Sequence, residues 1–266
     1  AYLFAYFEGS GELTTQEQLR FAVSADAVHW KALNGNRPVI PSDEISQTGG
    51  IRDPHILRGE DGRFYIVATD MNTAKNGWNE NPGIVLLSSD DLLHWKHAKI
   101  NLSKDYPKHF GDAYWVWAPQ TIYDRKAKKY MIYFTLQRND RKSLITYYAY
   151  ANKDFTGFES EPKQLFSAKY GSIDNDIIEK DGTYHLFYKG NTKDENGKEI
   201  KYTAVEITKV TGYVTGYSSD TFTVYNTLES LKPKTGDEAN ALLLAVIMLS
   251  SMTAVVVTAR KLRKEK

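Results

Sequence analysis

The stretch IRDPHIL places a carboxylate, Asp53, directly before Pro54. Proline fixes its own φ and disfavours the helical region for the residue before it, so Asp53 is predicted to be extended, on a stiff backbone at the start of a strand. Such a mount suits a carboxylate whose position matters to a reaction. Asp before Pro is also an ordinary turn opener, so the pair alone does not separate chemistry from structure. Two other stretches carry comparable groups: SIDNDIIEK holds Asp174 and Asp176, and VWAPQ holds Trp117, Ala118, Pro119 and Gln120.

The elements that must position these groups repeat. FAVSADAVHW ends at Trp30, VLLSSDDLLHW at Trp95 and YAYANKDFTGF at Phe158, each with an Asp four places before the closing aromatic: Asp26, Asp91 and Asp154. Between them, RDPHILRGEDGRFYIVATD, WAPQTIYDRKAKKYMIYFT and IDNDIIEKDGTYHLFYKG each read as apolar strand, charged turn and aromatic-rich strand, a hairpin with period-2 alternation in its second arm. Asp61-Gly62 and Asp181-Gly182 provide turn residues where φ must become positive. Together they give a meander of about four strands, the blade of a β-propeller. A propeller sets the first strand of every blade around a central channel. Asp53, the Trp117-Ala118-Pro119-Gln120 group and Asp174 occupy that equivalent place and are expected to meet at one mouth.

Composition agrees with a β protein. The chain has 266 residues, a net charge of +1, 13% aromatics with 18 Tyr and 5 Trp, and no Cys. Balanced charge gives no electrostatic reason to expect a nucleic-acid partner. The aromatic bias favours strands and surfaces on which flat ligands such as sugars stack. Without Cys, disulfides and thiolate metal sites are excluded. The chain opens on Ala1 with no basic, apolar leader, so a secretory signal is expected to be already removed or to lie outside this sequence.

These motifs, over residues 1 to 192, resemble glycoside hydrolase family 43 and its relatives, five-bladed propellers that remove arabinose, xylose or related sugars from plant polysaccharides. The resemblance rests on AYLFAYF, SADAVHW, SDDLLHW, GIRDPHIL, VWAPQTIYD and SIDNDIIEKDGTYHLFYKG. It implies an inverting two-carboxylate mechanism without a cofactor. Asp53 would be the general base and Asp174 the carboxylate that orients the general acid and tunes its pKa, with Asp176 the second choice for that role. Trp117, Trp78 and Tyr114 are candidates for apolar sugar-binding faces, and blade packing is their alternative reading; for Trp30 and Trp95 packing is preferred. His29, His55 and His94 recur at strand positions without a matching cluster, so no metal site is assigned. The family's general acid is a Glu in a later blade, set in a Glu-Gly or Glu-Ala-Pro neighbourhood. Glu195, Glu199, Glu206 and Glu229 follow, and none has that neighbourhood.

Residues 193 to 229 resemble the last part of a collagen-adhesin B-type repeat. That resemblance implies Glu206 as the buried acid and Asn226 as the Asn of an internal isopeptide bond, whose Lys-bearing first strand is missing here. Residues 241 to 259 are nineteen residues without a charge, long enough as a helix to span a hydrocarbon layer, and RKLRKEK follows. With Pro233, Lys234, Thr235 and Gly236 before it, the segment from 230 to 266 resembles a cell-wall sorting signal of Gram-positive surface proteins, cleaved by sortase between Thr235 and Gly236.

The expected fold is therefore all-β: a partial five-bladed propeller of about three blades with an appended β meander and a C-terminal transmembrane helix. The expected protein is secreted, anchored to the wall of a Gram-positive cell, and partnered by a polysaccharide or oligosaccharide, by sortase, by peptidoglycan and, before sorting, by the membrane. Its function is that of a glycosidase acting on arabinose- or xylose-containing chains, or of a non-catalytic carbohydrate-binding or adhesion module. A truncated product with a working anchor and an inert body is the third reading.

Overall fold

The computed structural model describes residues 1–9, 13–169, 171–190, 198, 213–217 and 224–228. The chain divides into a unit spanning Ala1–Glu199 and a second spanning Ile200–Lys266. The first is all-β among the described residues, with helix confined to turns of three or four residues.

Four antiparallel sheets follow one another in chain order. The first is β1 (Tyr2–Tyr6), β2 (Arg20–Ser24) and β3 (Lys31–Ala32). The second is β4 (Ile51–Arg58), β5 (Phe64–Asp70), β6 (Gly83–Ser89) and β7 (Lys96–Asn101). The third is β8 (Ala113–Asp124), β9 (Lys129–Arg138), β10 (Ile145–Tyr150) and β11 (Lys163–Phe166). The fourth consists of β12 (Ile173–Lys180) and β13 (Thr183–Lys189). Each pairs as a plain meander. The first strands are neighbours, β1 beside β4, β4 beside β8 and β8 beside β12, so sequence order becomes angular order.

Packing explains why β5 and β6 read as unbroken apolar runs. Successive side chains point to opposite faces, and both faces of the second sheet are covered. Ile66, Ala68, Val85 and Leu87 face one way, into a core shared with Phe21, Ile45 and Leu19. Tyr65, Val67, Ile84 and Leu86 face the other way, into a core with Val116, Ile132 and Phe134 of the third sheet. The sheet that opens on Asp53 is thus clamped from both sides. The tight turns behave as their residues demand: Gly62 has φ +83° and Gly182 has φ +76°.

The recurring Asp-to-aromatic segment closes the outer strands. Asp26 Oδ1 accepts the amides of Val28 and His29, and Asp91 Oδ1 those of Leu93 and His94, while their second oxygens lie 2.7 Å from the His29 and His94 rings. Trp95 packs edge-on against Phe21, and Trp30 packs tilted against Phe4. In the third repeat the capping side chain is Asn152, whose Oδ1 accepts the Thr156 amide, rather than Asp154. The motif in YAYANKDFTGF therefore starts two residues before the aligned Asp154, because Asn and Asp both cap a turn.

In the second unit, β14 (Tyr213–Tyr217) and β15 (Val224–Leu228) form an antiparallel hairpin in which Asn226 is opposite Thr215. Glu206, Thr235, Gly236 and the apolar stretch 241 to 259 lie outside the described residues. Among the described residues no helix is long and apolar enough to cross a membrane.

Candidate active site

Three first strands carry the same irregularity at the same place. Pairing in β4 jumps from Arg52↔Thr69 to His55↔Val67, in β8 from Trp117↔Thr135 to Gln120↔Tyr133, and in β12 from Ile173↔Lys189 to Asp176↔Phe187. Each is a bulge with two residues against one. Its first residue has positive φ: Asp53 +49°, Ala118 +46° and Asp174 +52°. This corrects the extended conformation expected for Asp53. The proline does restrict it, but the bulge needs a left-handed residue, and Asp tolerates that region better than most side chains. Strain of this kind costs about 1–3 kcal/mol per residue, and here it repeats around one opening.

The bulges are linked from sheet to sheet. Thr69 Oγ1, fully buried on β5, donates to Asp53 Oδ2 at 3.0 Å and accepts the Ala118 amide at 2.9 Å. Thr135 holds the same register position in the third sheet and accepts from Asn175 Nδ2 at 3.0 Å. In the fourth sheet that position belongs to Lys189, whose Nζ donates to Asp174 Oδ2 at 3.0 Å. One register place therefore supplies a hydroxyl to Asp53 and an ammonium to Asp174.

Electrostatics differ accordingly. Burial holds the half-buried Asp53 carboxyl above the usual carboxylate range; Arg52 and the Thr69 hydroxyl oppose this, and the charges of Asp174 and Glu17 add to it. Asp174 is exposed and ion-paired with Lys189. Asp176 is exposed too, and its charge acts on His55, which burial nevertheless holds down to about 4. His55 Nδ1 accepts the Thr121 amide at 3.3 Å, so the neutral ring carries its proton on Nε2.

Aromatic residues cluster beside the Asp53 bulge, where the neighbouring Arg52 lies over Trp78 and the Ala118 amide next to Trp117 meets Thr69. Trp117 is edge-on to Trp78, with centroids 5.9 Å apart, and stacked on Trp115 at 3.9 Å. Its Nε1 donates to Asn81 Oδ1 at 2.8 Å, which fixes the ring. Tyr114 lies one ring further out, tilted against Trp115 at 5.4 Å. Of the sequence-predicted residues, the fold brings Asp53, Asp174, Trp117 and Trp78 to one region and leaves Tyr114 at its edge. Glu195, Glu199, Glu206 and Glu229 lie outside the described residues.

Sequence reasoning missed Thr69, Arg52, Glu17 and Trp115. Arg52 donates to the buried Glu17 at 2.6 Å, and its guanidinium lies 4.9 Å from both the Phe7 and Trp78 rings. Glu17 also accepts from the Thr73 amide and, at 2.6 Å, from Thr73 Oγ1. The Arg before Asp53 and the second Trp in YWVW were visible signals; Glu17 and Thr69 offered none. Among the described residues no cluster of three or more His, Cys, Asp or Glu could hold a metal ion.

Residues 1–239 match the profile of a family described as "Probable glycosyl hydrolase domain", one related to glycosyl hydrolase family 43. An alpha-L-arabinofuranosidase of Bifidobacterium longum subsp. longum is 26% identical over 192 residues, which cover 65% of this chain and 17% of that protein. The chain thus spans about a sixth of the length of that curated relative. An exo-1,5-alpha-L-arabinanase from a bovine ruminal metagenomic library has a similar fold, with TM-score 0.50 and 17% identity over 74% of this chain and 71% of that one.

Proposed function

This chain belongs to that glycosyl hydrolase family, and from this premise we propose that it cleaves arabinose- or xylose-containing polysaccharides with inversion at the anomeric carbon. The observation that carries the reading is the carboxylate of Asp53, held by Thr69 on a bulge and within reach of the charge of Asp174, which stands at the same place of the fourth sheet. Asp53, ionised, takes a proton from water; that oxygen attacks the anomeric carbon as the glycosidic C–O bond breaks, and the leaving oxygen receives a proton from a general acid. Water fits between base and acid when they are about 6.5–9.5 Å apart. Asp174 is the carboxylate that would tune that acid. Glu195, Glu199, Glu206 and Glu229 lack the setting of the family's acid, and without it hydrolysis of an ordinary glycoside falls by about 10²- to 10⁴-fold. Trp117 and Trp78 offer the apolar faces for the sugar.

Release of arabinose and xylose from aryl glycosides with excellent leaving groups tests this, because such substrates need little acid assistance. Asp53→Asn is expected to lower turnover by about 10²- to 10⁴-fold. Unchanged turnover would remove Asp53 from its role.

The Lys189–Asp174 ion pair favours a second reading, a sugar-binding module, since it neutralises the second carboxylate. Sugar binding without turnover in the same assay would support that reading. In either case Pro233-Lys234-Thr235-Gly236, the apolar stretch 241 to 259 and the basic tail support sortase anchoring to a Gram-positive wall, with the B-type-like segment as a short stalk. Sortase digestion should yield a product ending at Thr235 by mass spectrometry. A cut elsewhere would overturn the anchor.

A further inference from the structure

Two clefts open at the end of the second sheet where Asp53 sits, among the loops that enter β4 and leave β5. The first, about 460 Å³, is lined by Gln47, Thr48, Asn72, Lys75, Asn79 and Asn81 among others. The second, about 580 Å³, is lined by Thr14, Thr15, Gln18, Pro41, Ser42 and Asp43 among others, and it shares Asn72 and Lys75 with the first. Both volumes are those of small-molecule sites, and the clefts are adjacent, with Asn72 and Lys75 bordering both.

Their floor is a preformed amide lattice. Asn72, buried, donates to the carbonyls of Thr14 at 3.3 Å and Gly49 at 3.2 Å and accepts the Lys75 amide at 3.0 Å. Gln18 donates to the same two carbonyls and accepts the Ser42 amide at 3.2 Å. Against this satisfied lattice Ser42 Oγ stands out. The residue is 1% exposed and lines the second cleft, yet its hydroxyl has no partner. A buried hydroxyl without a partner is an unfavourable arrangement that a bonded group relieves.

Charge selects the ligand class. Gly49 has φ +78°, and a Cβ there would come 3.3 Å from Asp43 Oδ1 and 3.7 Å from Lys75 Nζ. Bare backbone thus separates one anion and one cation, and neither has an ion-pair partner among the described residues. Opposite charges that nearly cancel, with amides, hydroxyls and proline rings around them, suit a neutral, hydroxyl-rich chain better than an acidic one. The first cleft also adjoins the mouth. Gly77 and Asn79 line it, and between them Trp78, 53% exposed, meets Trp117 edge-on.

We propose that the two clefts form a binding track for the neutral oligosaccharide attached to the sugar in the mouth, which crosses Trp78 and runs past Lys75 to Ser42. This rests on the glycan-directed reading of the mouth. The test is calorimetric titration of the full chain carrying Asp53→Asn with neutral linear arabino- and xylo-oligosaccharides of one to six residues. Affinity is expected to rise with length beyond two residues. Thr15→Trp and Asn79→Trp, rim substitutions that fill each cleft, should weaken binding of the longest chains about tenfold and leave single sugars bound as before. Melting curves check that both variants fold, and Lys75→Ala, exposed and removing only a donor, should reproduce the effect in part. A length dependence that survives both Trp variants, or none while single sugars still bind, overturns the track alone. A length dependence sensitive to Thr15→Trp but indifferent to Trp117→Ala keeps the track and removes the mouth. Absence of binding at every length overturns both.

Discussion

Thr69 Oγ1 donates to Asp53 Oδ2 at 3.0 Å while accepting the Ala118 amide at 2.9 Å, so one buried hydroxyl ties the carboxylate of one sheet to the bulge of the next. Because the amide must donate, the hydroxyl proton is committed to Asp53. The carboxylate orientation is set by the contact between sheets.

Thr69→Val keeps shape and removes the hydroxyl, leaving the Ala118 amide and one Asp53 oxygen unpaired. It is expected to cost about 1–3 kcal/mol in denaturant unfolding and to raise the Asp53 pKa further, moving the acid limb of kcat/KM to higher pH. Thr69→Ser should restore both. An unmoved acid limb would show that Thr69 does not hold Asp53.

Asp53→Asn should lose activity and gain stability. Burial raises the folded-state pKa of Asp53, so folding favours the protonated form; the cost is absent below the ordinary carboxylate pKa and grows as pH rises through the folded one. Neutral Asn avoids that cost while its oxygen can still accept from Thr69. The variant should therefore melt higher than the parent at pH 7, and no higher at pH 3. A lower Tm at pH 7 would contradict the desolvation argument.

Glu17 is fully buried and Arg52 nearly so, and breaking such a pair costs about 3–5 kcal/mol because one charge stays unpaired. Arg52→Met should show that loss in a urea titration. It also removes the positive charge that opposes protonation of Asp53, so the acid limb should shift to higher pH than in the parent. Arg52→Met combined with Glu17→Gln should recover stability and, because the Glu17 charge also raises the Asp53 pKa, return the acid limb only in part. Full return of the acid limb would mean that the charge of Arg52 does not outweigh that of Glu17 at Asp53.

His55 stays neutral in the fold down to about pH 4, whereas an unfolded His binds a proton near 6.5. Its pKa is depressed, so the neutral ring contributes stability above about 6.5, and this is lost as pH falls from there towards 4. Gln120 occupies the matching place in the third sheet, so His55→Gln is the natural replacement. The variant should show a flatter Tm between pH 6.5 and 4. An equally steep fall would assign the acid lability to other groups.

Much of the architecture was legible because it is local and repeated. Hairpins, Gly turns and the Asp-to-Trp closures follow from residues within ten positions of one another, and three copies at similar spacing imply radial order. Asp53, Asp174 and Trp117 could be singled out because they fall at the same point of each copy. The bulges were not legible, since Asp-Pro, Ala-Pro and Asp-Asn share no residue pattern that demands a left-handed first position. Nor were Thr69 and Glu17, an ordinary strand threonine and an ordinary loop glutamate until other elements meet them.

The sequence by itself determined that the chain is a β repeat, which strands begin each sheet and which carboxylates stand there, because period-2 patterning and turn chemistry act between near neighbours. Only the tertiary structure decided how those carboxylates behave. Thr69 reaches Ala118 across 49 positions, Glu17 reaches Arg52 across 35 and Thr73 across 56, and burial between sheets raises the pKa of Asp53. Protonation and orientation depend on groups that chain order keeps apart and sheet packing brings together.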